Sequence, residues 1–296
     1  MNSPPFQKEP EVLVERYRHM VITLNRPGAI NALITEMIRL IRQALEEALA
    51  EDRFQFILIQ GAGSRGFCAE GDVKRLAKAV RDKDFGRPEQ FLEEEYALDL
   101  LIHRYPKPII VIADGITVGG GLGLSAGADI VVATGDLKTF LTPFLSKDIP
   151  SNPKMDAWVE AHFSGKFSMQ GIMTSLSQCS SKDPLCNDTY RRLWECSPSS
   201  LVLTLGLLHR NEGRPLEEVF AVEAGAAGFM IRRPDYFEGI RARLLEKDSY
   251  PRWQPSTIKE VSSDELFTFL KTMNIVESTG RVALSPGMQN SRKEMN

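Results

Sequence analysis

Two glycine-rich stretches decide the fold of this chain: Arg65–Asp72, with the sequence RGFCAEGD, and Asp114–Gly123, with the sequence DGITVGGGLG. Each follows a short apolar run, Phe54–Gln60 and Pro108–Ala113 respectively, of the kind that forms a strand buried on both faces. Each is followed by a stretch with helical character, so the chain repeats the order strand, glycine loop, helix. This repetition predicts an α/β fold with a largely parallel sheet.

The pattern extends to both sides of these loops. Glu11–Tyr17 and Met20–Leu24 predict two strands joined by a tight turn. Residues 35–52 have apolar side chains at helical spacing, with Thr35 as the candidate N-cap. Asp72 stands at or near the N-cap of a helix that follows the first loop, and Ile130–Ala133 predicts the strand after the second.

The character of the chain changes after Pro143. From Lys154 to Leu245 helical patterns dominate, and they are broken at residues 180–183, 197–198 and 213–215. We therefore predict a core, a helical C-terminal region and a flexible tail, at residues 1–145, 146–276 and 277–296 respectively.

The composition is that of an ordinary globular protein, with 43% hydrophobic and 25% charged residues and a formal net charge of -3. The chain has no basic excess, which argues against a nucleic-acid partner. The longest apolar runs, such as Ile109–Ala113, are too short to cross a membrane, and residues 1–12 lack the apolar segment of a secretory signal. We expect no nucleic-acid or membrane partner and a cytoplasmic location, with the mitochondrial matrix left open.

The cysteines show no metal-binding pattern. None forms a C-x-x-C pair, and no histidine cluster accompanies them: Cys68, Cys179, Cys186 and Cys196. We therefore predict no metal site and thiols that stay reduced.

Gly61–Gly66 satisfies the G-x-G-x-x-G pattern of dinucleotide-binding folds. In those folds a helix begins inside the pattern, whereas Phe67–Ala69 continue the loop here. No second strand ends in an acidic residue about 20 residues further on. We rank nicotinamide-dinucleotide binding well below the alternative that follows.

The two loops read together resemble the paired signatures of the crotonase (enoyl-CoA hydratase/isomerase) superfamily. Asn25–Pro27 and Ile30–Leu33 resemble its N-terminal motif, and Ala126–Ala133 resembles the strand after the second loop. These pieces occur in the family's order along Val21–Thr134. The resemblance implies a crotonase-like ββα spiral core with a helical C-terminal region.

The resemblance also implies a site for an acyl-coenzyme A thioester. The backbone N–H groups of Gly71 and Gly120 would form an oxyanion hole, because preorganised donors stabilise the charge that develops on a thioester oxygen. Glycine allows such close approach of backbone to ligand. The coenzyme A belongs to the substrate, so no separate cofactor is expected. The remaining candidate substrate-binding residues are Asn31, Ala32, Leu33, Ala69 and Glu95.

The C-terminal half resembles one subgroup. Ser197–Leu201 and Arg233–Ala242 are similar to motifs of 3-hydroxyisobutyryl-CoA hydrolases, which implies a step of valine breakdown, and the pair Glu95-Tyr96 is similar as well. Hydratases carry a catalytic Glu just after the glycine triplet, where this chain has Gly123. A hydratase would therefore lack an essential acid.

The chain departs from the hydrolases after residue 140. Phe144 stands where the subgroup has a catalytic Glu, and the Phe-Pro-Asp-Val-Gly segment with its Asp is missing. Glu70, which replaces a glycine beside the oxyanion hole, is a speculative substitute. Three hypotheses stay open: a thioesterase, a CoA-thioester-binding protein without turnover, and an enoyl-CoA hydratase or isomerase. A shortened core also predicts exposed apolar surface and possible homo-oligomers.

Overall fold

The computed structural model describes residues 9–134, 152–261 and 268–269. A main sheet of five strands has the order β1-β2-β3-β5-β7, and a small sheet pairs β4 with β6. The strands are β1 Val12–Arg16, β2 Met20–Leu24, β3 Ile57–Gly61, β4 Cys68–Ala69, β5 Ile109–Asp114, β6 Thr117–Val118 and β7 Ile130–Thr134.

The main sheet is parallel except at one edge. β1 runs antiparallel to β2, and the pairs β2–β3, β3–β5 and β5–β7 are all parallel. Every residue of β2 is buried, because the strand is covered on both faces. The predicted α/β fold with a crotonase-like core and a helical C-terminal region is confirmed.

Ten α-helices lie in the described part of the chain. They are α1 Thr35–Ala50, α2 Val73–Arg81, α3 Gly86–His103, α4 Gly120–Ala126, α5 Pro153–His162, α6 Met169–Cys179, α7 Pro184–Trp194, α8 Pro198–Asn211, α9 Leu216–Ile231 and α10 Pro234–Ile240.

The largest core lies between the main sheet and helices α1 and α3. The apolar stripe of α1 is buried as its spacing predicts, with Met37, Ile41 and Leu45 fully enclosed. The Tyr105 hydroxyl donates to the Leu45 carbonyl at 2.5 Å, which ties the end of α3 to this helix. Burial of this stripe drives the assembly of the core.

The C-terminal helices add a second, smaller core and cover α3. Ile172, Leu176 and Cys186 form the centre of the second core, on α6 and α7. Helix α9 packs along α3, where the rings of Tyr96 and Phe220 meet edge to face at 5.5 Å. The three predicted helix breaks coincide with the ends of α6, α7 and α8.

Some sequence-based expectations need correction. Thr35 is the first residue of α1 rather than its cap, and Ile34 at the N-cap offers no side-chain hydrogen bond. The helix that follows the second glycine loop, α4, begins inside the glycine triplet, at Gly120. The sequence also predicts a strand at residues 139–142 and a last helix at residues 263–273. That strand, the tail and all of that helix except residues 268–269 lie outside the described residues. The domain boundaries stay predictions. No helix of the described part is long and apolar enough to cross a membrane.

Candidate active site

The small sheet brings the two glycine loops side by side. Ala69 in β4 lies opposite Val118 in β6, in parallel register. One step further, the Glu70 N–H donates to the Val118 carbonyl at 2.9 Å. A β-carbon on Gly119 would lie only 3.0 Å from the Cα of Glu70, so these two residues are also neighbours. The pairing of the loops therefore continues beyond the strands.

Gly71 and Gly120 directly follow Glu70 and Gly119, the last pair of neighbours that the two loops share. Leu33 bridges to Gly71 in a parallel arrangement, which directs the Gly71 N–H away from Leu33. Gly120 is the first residue of α4, so its N–H has no partner inside the helix. Among the described residues, neither amide has a hydrogen-bond acceptor. That the two N–H groups share one ligand stays a prediction.

One face of α3 closes the back of the loops. A β-carbon on Gly71 would lie 2.6 Å from Cζ of Phe91, and one on Gly120 would overlap Oε1 of Glu95. Phe91 and Glu95 are four residues apart and share this face. The carboxyl group of Glu95 consequently lies directly beside the backbone of Gly120.

Asp99 extends the same face by one more turn. A β-carbon on Gly123 would lie 2.5 Å from Oδ2 of Asp99. The carboxyl of Asp99 thus borders the position where hydratases, by resemblance, carry their catalytic Glu. Asp99 was not among the site residues predicted from the sequence. Its four-residue spacing from Glu95 was the available signal, but its burial depends on the packing of α3 against α4.

Glu95 and Asp99 are buried acids, with 8% and 9% of their surface exposed. Oε1 of Glu95 and Oδ1 of Asp99 have no hydrogen-bond partner in the described part of the chain. Burial, and secondarily the charge of Glu70, raises the pKa of Glu95 to about 7. Burial, and secondarily the charge of Glu95, raises the pKa of Asp99 to about 8. Each of these two carboxyls therefore keeps its proton to a higher pH than an exposed carboxyl does.

Glu70 lies at the rim of the loops. Its side chain is exposed and its φ is 60°, in the left-handed region that glycine favours. Its N–H bonds Val118 and its carbonyl accepts from the Leu33 N–H at 2.9 Å. The backbone of Glu70 therefore holds the loops together, and a catalytic role for its carboxylate stays a prediction.

The side-chain amide of Asn31 is used within the protein, and a role of this residue in substrate binding stays a prediction. The side chain is fully buried, and its Nδ2 lies 3.0–3.1 Å from the carbonyls of Ala62, Gly66 and Phe67. Its Oδ1 accepts from the Arg26 N–H at 2.9 Å. Every polar atom of this amide is engaged, so Asn31 orders the first loop from within and has no side-chain atom for a ligand.

Leu33 is also fully buried, and its side chain lies against Gly120; a role in substrate binding stays a prediction. Ala32 is buried at 9% exposure, whereas Ala69 is half-buried in β4. For Ala32 and Ala69 substrate binding stays a prediction. Asp72 and Asp129 are structural, as expected: Asp72 caps α2, and Asp129 accepts from the Ile109 N–H at 2.8 Å.

Cavity volume does not identify this site. A cavity of about 330 Å³ is lined by Ser197 and Asp235, and another of about 290 Å³ by Tyr96 and Glu223. Neither includes a residue of the glycine loops. We place the candidate site by its free amides and buried acids, because these groups carry chemistry and an apolar cavity between helices does not.

Apolar side chains are exposed around the second loop. Ile116, Val118 and Leu122 have 47%, 42% and 55% of their surface accessible. This exposure agrees with the expectation that a shortened core leaves apolar surface uncovered. Homo-oligomerisation stays a prediction.

Solved structures share the fold. A carnitinyl-CoA dehydratase from Mycobacterium thermoresistibile superimposes with a TM-score of 0.75 at 24% identity, covering 88% of this chain and 96% of that one. An enoyl-CoA hydratase from Rhodobacter sphaeroides 2.4.1 superimposes with a TM-score of 0.74 at 23% identity, covering 88% and 97%. At these identities the likeness concerns the fold alone.

Curated relatives are similar over most of their length. The protein named "3-hydroxyisobutyryl-CoA hydrolase, mitochondrial" of Gallus gallus is 28% identical over 326 residues, covering 82% of this chain and 84% of the relative. Its namesake in Danio rerio is 29% identical over 346 residues, covering 88% and 90%. The second alignment has more positions than the 296 residues of this chain, so the relative contains residues that this chain lacks.

The sequence profile described as "Enoyl-CoA hydratase/isomerase" matches residues 19–144 and 136–270. The two matches meet in the stretch where the sequence departs from the hydrolase pattern, around Phe144. Together they cover most of the chain, and the structural neighbours have the same fold. This protein belongs to the enoyl-CoA hydratase/isomerase family, the crotonase family.

Proposed function

We propose that the protein is an acyl-CoA thioester hydrolase of the 3-hydroxyisobutyryl-CoA hydrolase type. The observation that carries this proposal is the pairing of the small sheet, which brings the two glycine loops side by side, and the N–H groups of Gly71 and Gly120 in these loops are unpaired among the described residues. The thioester carbonyl oxygen would accept both hydrogen bonds. Donors held in place before the reaction cost no reorganisation when charge develops, and one such donor contributes about 10²–10³ in rate.

Glu95 is the carboxylate best placed to take part. Its Oε1 lies against Gly120, it is buried, and it has no partner among the described residues. With a pKa of about 7, a substantial fraction is ionised at neutral pH. In the proposed reaction the ionised carboxylate takes a proton from water as the water oxygen attacks the carbonyl carbon. The carbon–sulfur bond then breaks, and the coenzyme A sulfur leaves with that proton.

The acyl group is proposed from likeness. The curated relatives are named for 3-hydroxyisobutyryl-CoA, and the chain has the subgroup-like motifs at Glu95-Tyr96 and Ser197–Leu201. The buried Ser197 hydroxyl donates to Asp235 at 2.5 Å, and this hydrogen bond joins the Ser197–Leu201 motif to the Arg233–Ala242 motif. A role in valine breakdown follows from that substrate. The relatives are named as mitochondrial, which favours the matrix over the cytoplasm for this chain too.

A second candidate is a CoA-thioester-binding protein without turnover. The replacement of the subgroup's catalytic Glu by Phe144 and the missing Asp segment favour it, since amide donors alone retain only part of the rate. A hydratase is third. Hydratases need a Glu at position 123, and a side chain there would collide with Asp99 at 2.5 Å.

The experiment is a thiol-release assay on the full chain with 3-hydroxyisobutyryl-CoA, other 3-hydroxyacyl-CoA esters and acetyl-CoA. Products are separated by chromatography so that protein thiols do not interfere. Release from the 3-hydroxyacyl esters, abolished in Glu95→Gln, supports the hydrolase. Tight binding of the esters by calorimetry without release identifies the second candidate. Hydration of a 2-enoyl-CoA, seen as loss of its ultraviolet absorbance, identifies the third.

A further inference from the structure

A second cluster of reactive side chains lies on the C-terminal helices. We propose that Cys179, Cys186 and His162 bind one soft divalent cation, such as Zn²⁺, when the two cysteines are reduced, with Asp183 as the fourth ligand. The three nitrogen and sulfur ligand atoms all lie within 4.8 Å of one another. This inference is independent of the proposed thioesterase, and it revises the expectation of no metal site.

Three helix ends build the cluster. His162 is the last residue of α5, Cys179 is the last residue of α6, and Cys186 lies in the first turn of α7. Nε2 of His162 lies 3.7 Å from Sγ of Cys179 and 3.5 Å from Sγ of Cys186. Asp183, between the two cysteines, has its Oδ2 3.6 Å from Sγ of Cys186. The set offers two sulfurs, one imidazole nitrogen and one carboxylate oxygen.

These separations match the edges of a tetrahedral zinc site. Zinc bonds of about 2.3 Å to sulfur and about 2.0–2.1 Å to nitrogen or oxygen require ligand atoms about 3.5 Å apart. The Nε2–Sγ distances of 3.5 and 3.7 Å and the Oδ2–Sγ distance of 3.6 Å already have that length. To complete a tetrahedral set the two sulfur atoms must move apart, and the carboxylate of Asp183, which lies beside Cys186 but outside the group of three, must move closer to the other ligands.

The outer contacts orient the ligands as metal sites require. Nδ1 of His162 lies 2.9 Å from Oγ of Ser175, so this contact leaves Nε2 facing the sulfurs. Trp158 Nε1 donates to Oδ2 of Asp183 at 3.0 Å, and Oδ1 of Asp183 accepts from the Leu185 N–H at 2.9 Å. The histidine is therefore oriented before a cation arrives, and the carboxylate is held beside Cys186.

The surroundings would strengthen metal binding. Cys186 is fully buried, and Trp158, Phe163 and Leu176 pack around it in the second core. An apolar shell excludes water and raises the strength of ion–ligand attraction. The cluster also joins three helices that otherwise share only this small core, so a bound cation would stabilise the C-terminal region.

In the structure Cys179 and Cys186 are joined as a disulfide, with Cα atoms 6.0 Å apart. The sequence analysis expected reduced thiols. Cation binding needs reduction first: a dithiol reductant transfers two electrons and two protons, the sulfur–sulfur bond breaks, and the reductant leaves as its own disulfide. The cation then displaces the two thiol protons and bonds both sulfurs. Reduction and cation binding are thus linked at one site.

The test uses the full chain, reduced with dithiothreitol under anaerobic conditions, desalted and titrated with Co²⁺ and then Zn²⁺. We expect the thiol count under denaturing conditions to rise from two to four on reduction, since Cys68 and Cys196 are free. One Co²⁺ should bind per chain, with near-ultraviolet thiolate charge transfer and the visible bands of a tetrahedral site, and Zn²⁺ should displace it.

The variants distinguish this site from other ligands. Cys186→Ser and Cys179→Ser should each abolish the charge-transfer band or weaken affinity at least 100-fold. Asp183→Asn, which still caps α7, should weaken affinity about 10–100-fold. The matched control is Cys196→Ser, whose thiol is exposed, and it should bind Co²⁺ like the parent.

Several results would overturn the proposal: a disulfide that dithiothreitol does not reduce, no Co²⁺ thiolate band in the reduced chain, or unchanged binding in Cys186→Ser. Circular dichroism of each reduced variant ensures that the helices remain folded. A reduced parent that loses its helices and regains none with Zn²⁺ would also count against the site.

Discussion

Oε1 of Glu95 occupies the space where any residue other than glycine at position 120 would place its β-carbon. This contact joins the two halves of the candidate site, because the acid with the raised pKa lies against a residue whose amide is unpaired. The glycine is required for two reasons at once: it exposes its N–H and it leaves room for the carboxyl. The predictions below test this arrangement and the packing that supports it.

Gly120→Ala should reduce thioester hydrolysis about 100-fold or more, because the added methyl group displaces Glu95 and the Leu33 side chain, 2.9 Å away. The overpacking should also cost about 1–3 kcal/mol of stability. Thiol release and urea denaturation measure the two effects. Gly28→Ala is the matched control, since a β-carbon there meets nothing within 4 Å. Equal behaviour of the two variants would contradict the proposed crowding.

The rate of hydrolysis should rise with pH through about 7, because Glu95 acts only in its ionised form and burial raises its pKa to about 7. Glu95→Gln should lower kcat and remove this step from the pH–rate profile. Glu94→Gln is the control. Glu94 lies on the same helix but pairs with Arg39 at 2.6 Å near the surface. If the profile keeps its step in Glu95→Gln, another group is the base.

Asp99→Asn should be more stable than the parent protein at pH 8, and this gain in stability should be smaller at pH 5. The ordinary pKa of this carboxyl is 3.8, and in the fold burial raises it to about 8. The folded state therefore holds the proton more tightly than the unfolded state. Stability from the neutral carboxyl is fully present below about pH 4 and declines as pH rises towards 8.

The expected gain at pH 8 is on the order of 2 kcal/mol, because one pKa unit corresponds to about 1.4 kcal/mol and partial solvation reduces the full effect. Melting temperatures at pH 5 and 8 measure it. Asp188→Asn is the control: Asp188 is exposed, and its hydrogen bond to Arg191 lowers its pKa. That variant should show no gain at pH 8. A melting temperature of Asp99→Asn that shifts equally at both pH values would refute the assignment.

Asn31→Asp should destabilise the protein by at least about 3 kcal/mol, since a carboxylate cannot donate to the three carbonyls that Nδ2 contacts and would be charged in a buried position. Urea denaturation measures the loss. Asn25→Asp provides the comparison, because Asn25 donates to one carbonyl, that of Pro10, at 3.0 Å. It should change stability by about 1 kcal/mol or less. Similar losses in both variants would show that Asn31 does not hold the loop.

Patterns within short stretches of sequence were sufficient to predict most of the strands, helices and loops. The buried strands, the helix α1 and the breaks between the C-terminal helices follow from apolar spacing and from glycine and proline positions. The two glycine loops and their likeness to the crotonase family also lie in short, contiguous stretches. Physical rules that act over a few residues decide these features, so the chain alone reveals them.

Other features depend on residues that are distant in sequence. The roles of Asn31 and Asp99 follow from burial among loop carbonyls and against α4, and neither is visible from neighbouring residues. The meeting of His162 with Cys179 and Cys186 requires three helices to converge. Amino-acid order alone determined the glycine loops and the elements around them. Only folding decided which acid is buried beside Gly120 and which cysteines meet, because desolvation and contact arise when separate elements pack together.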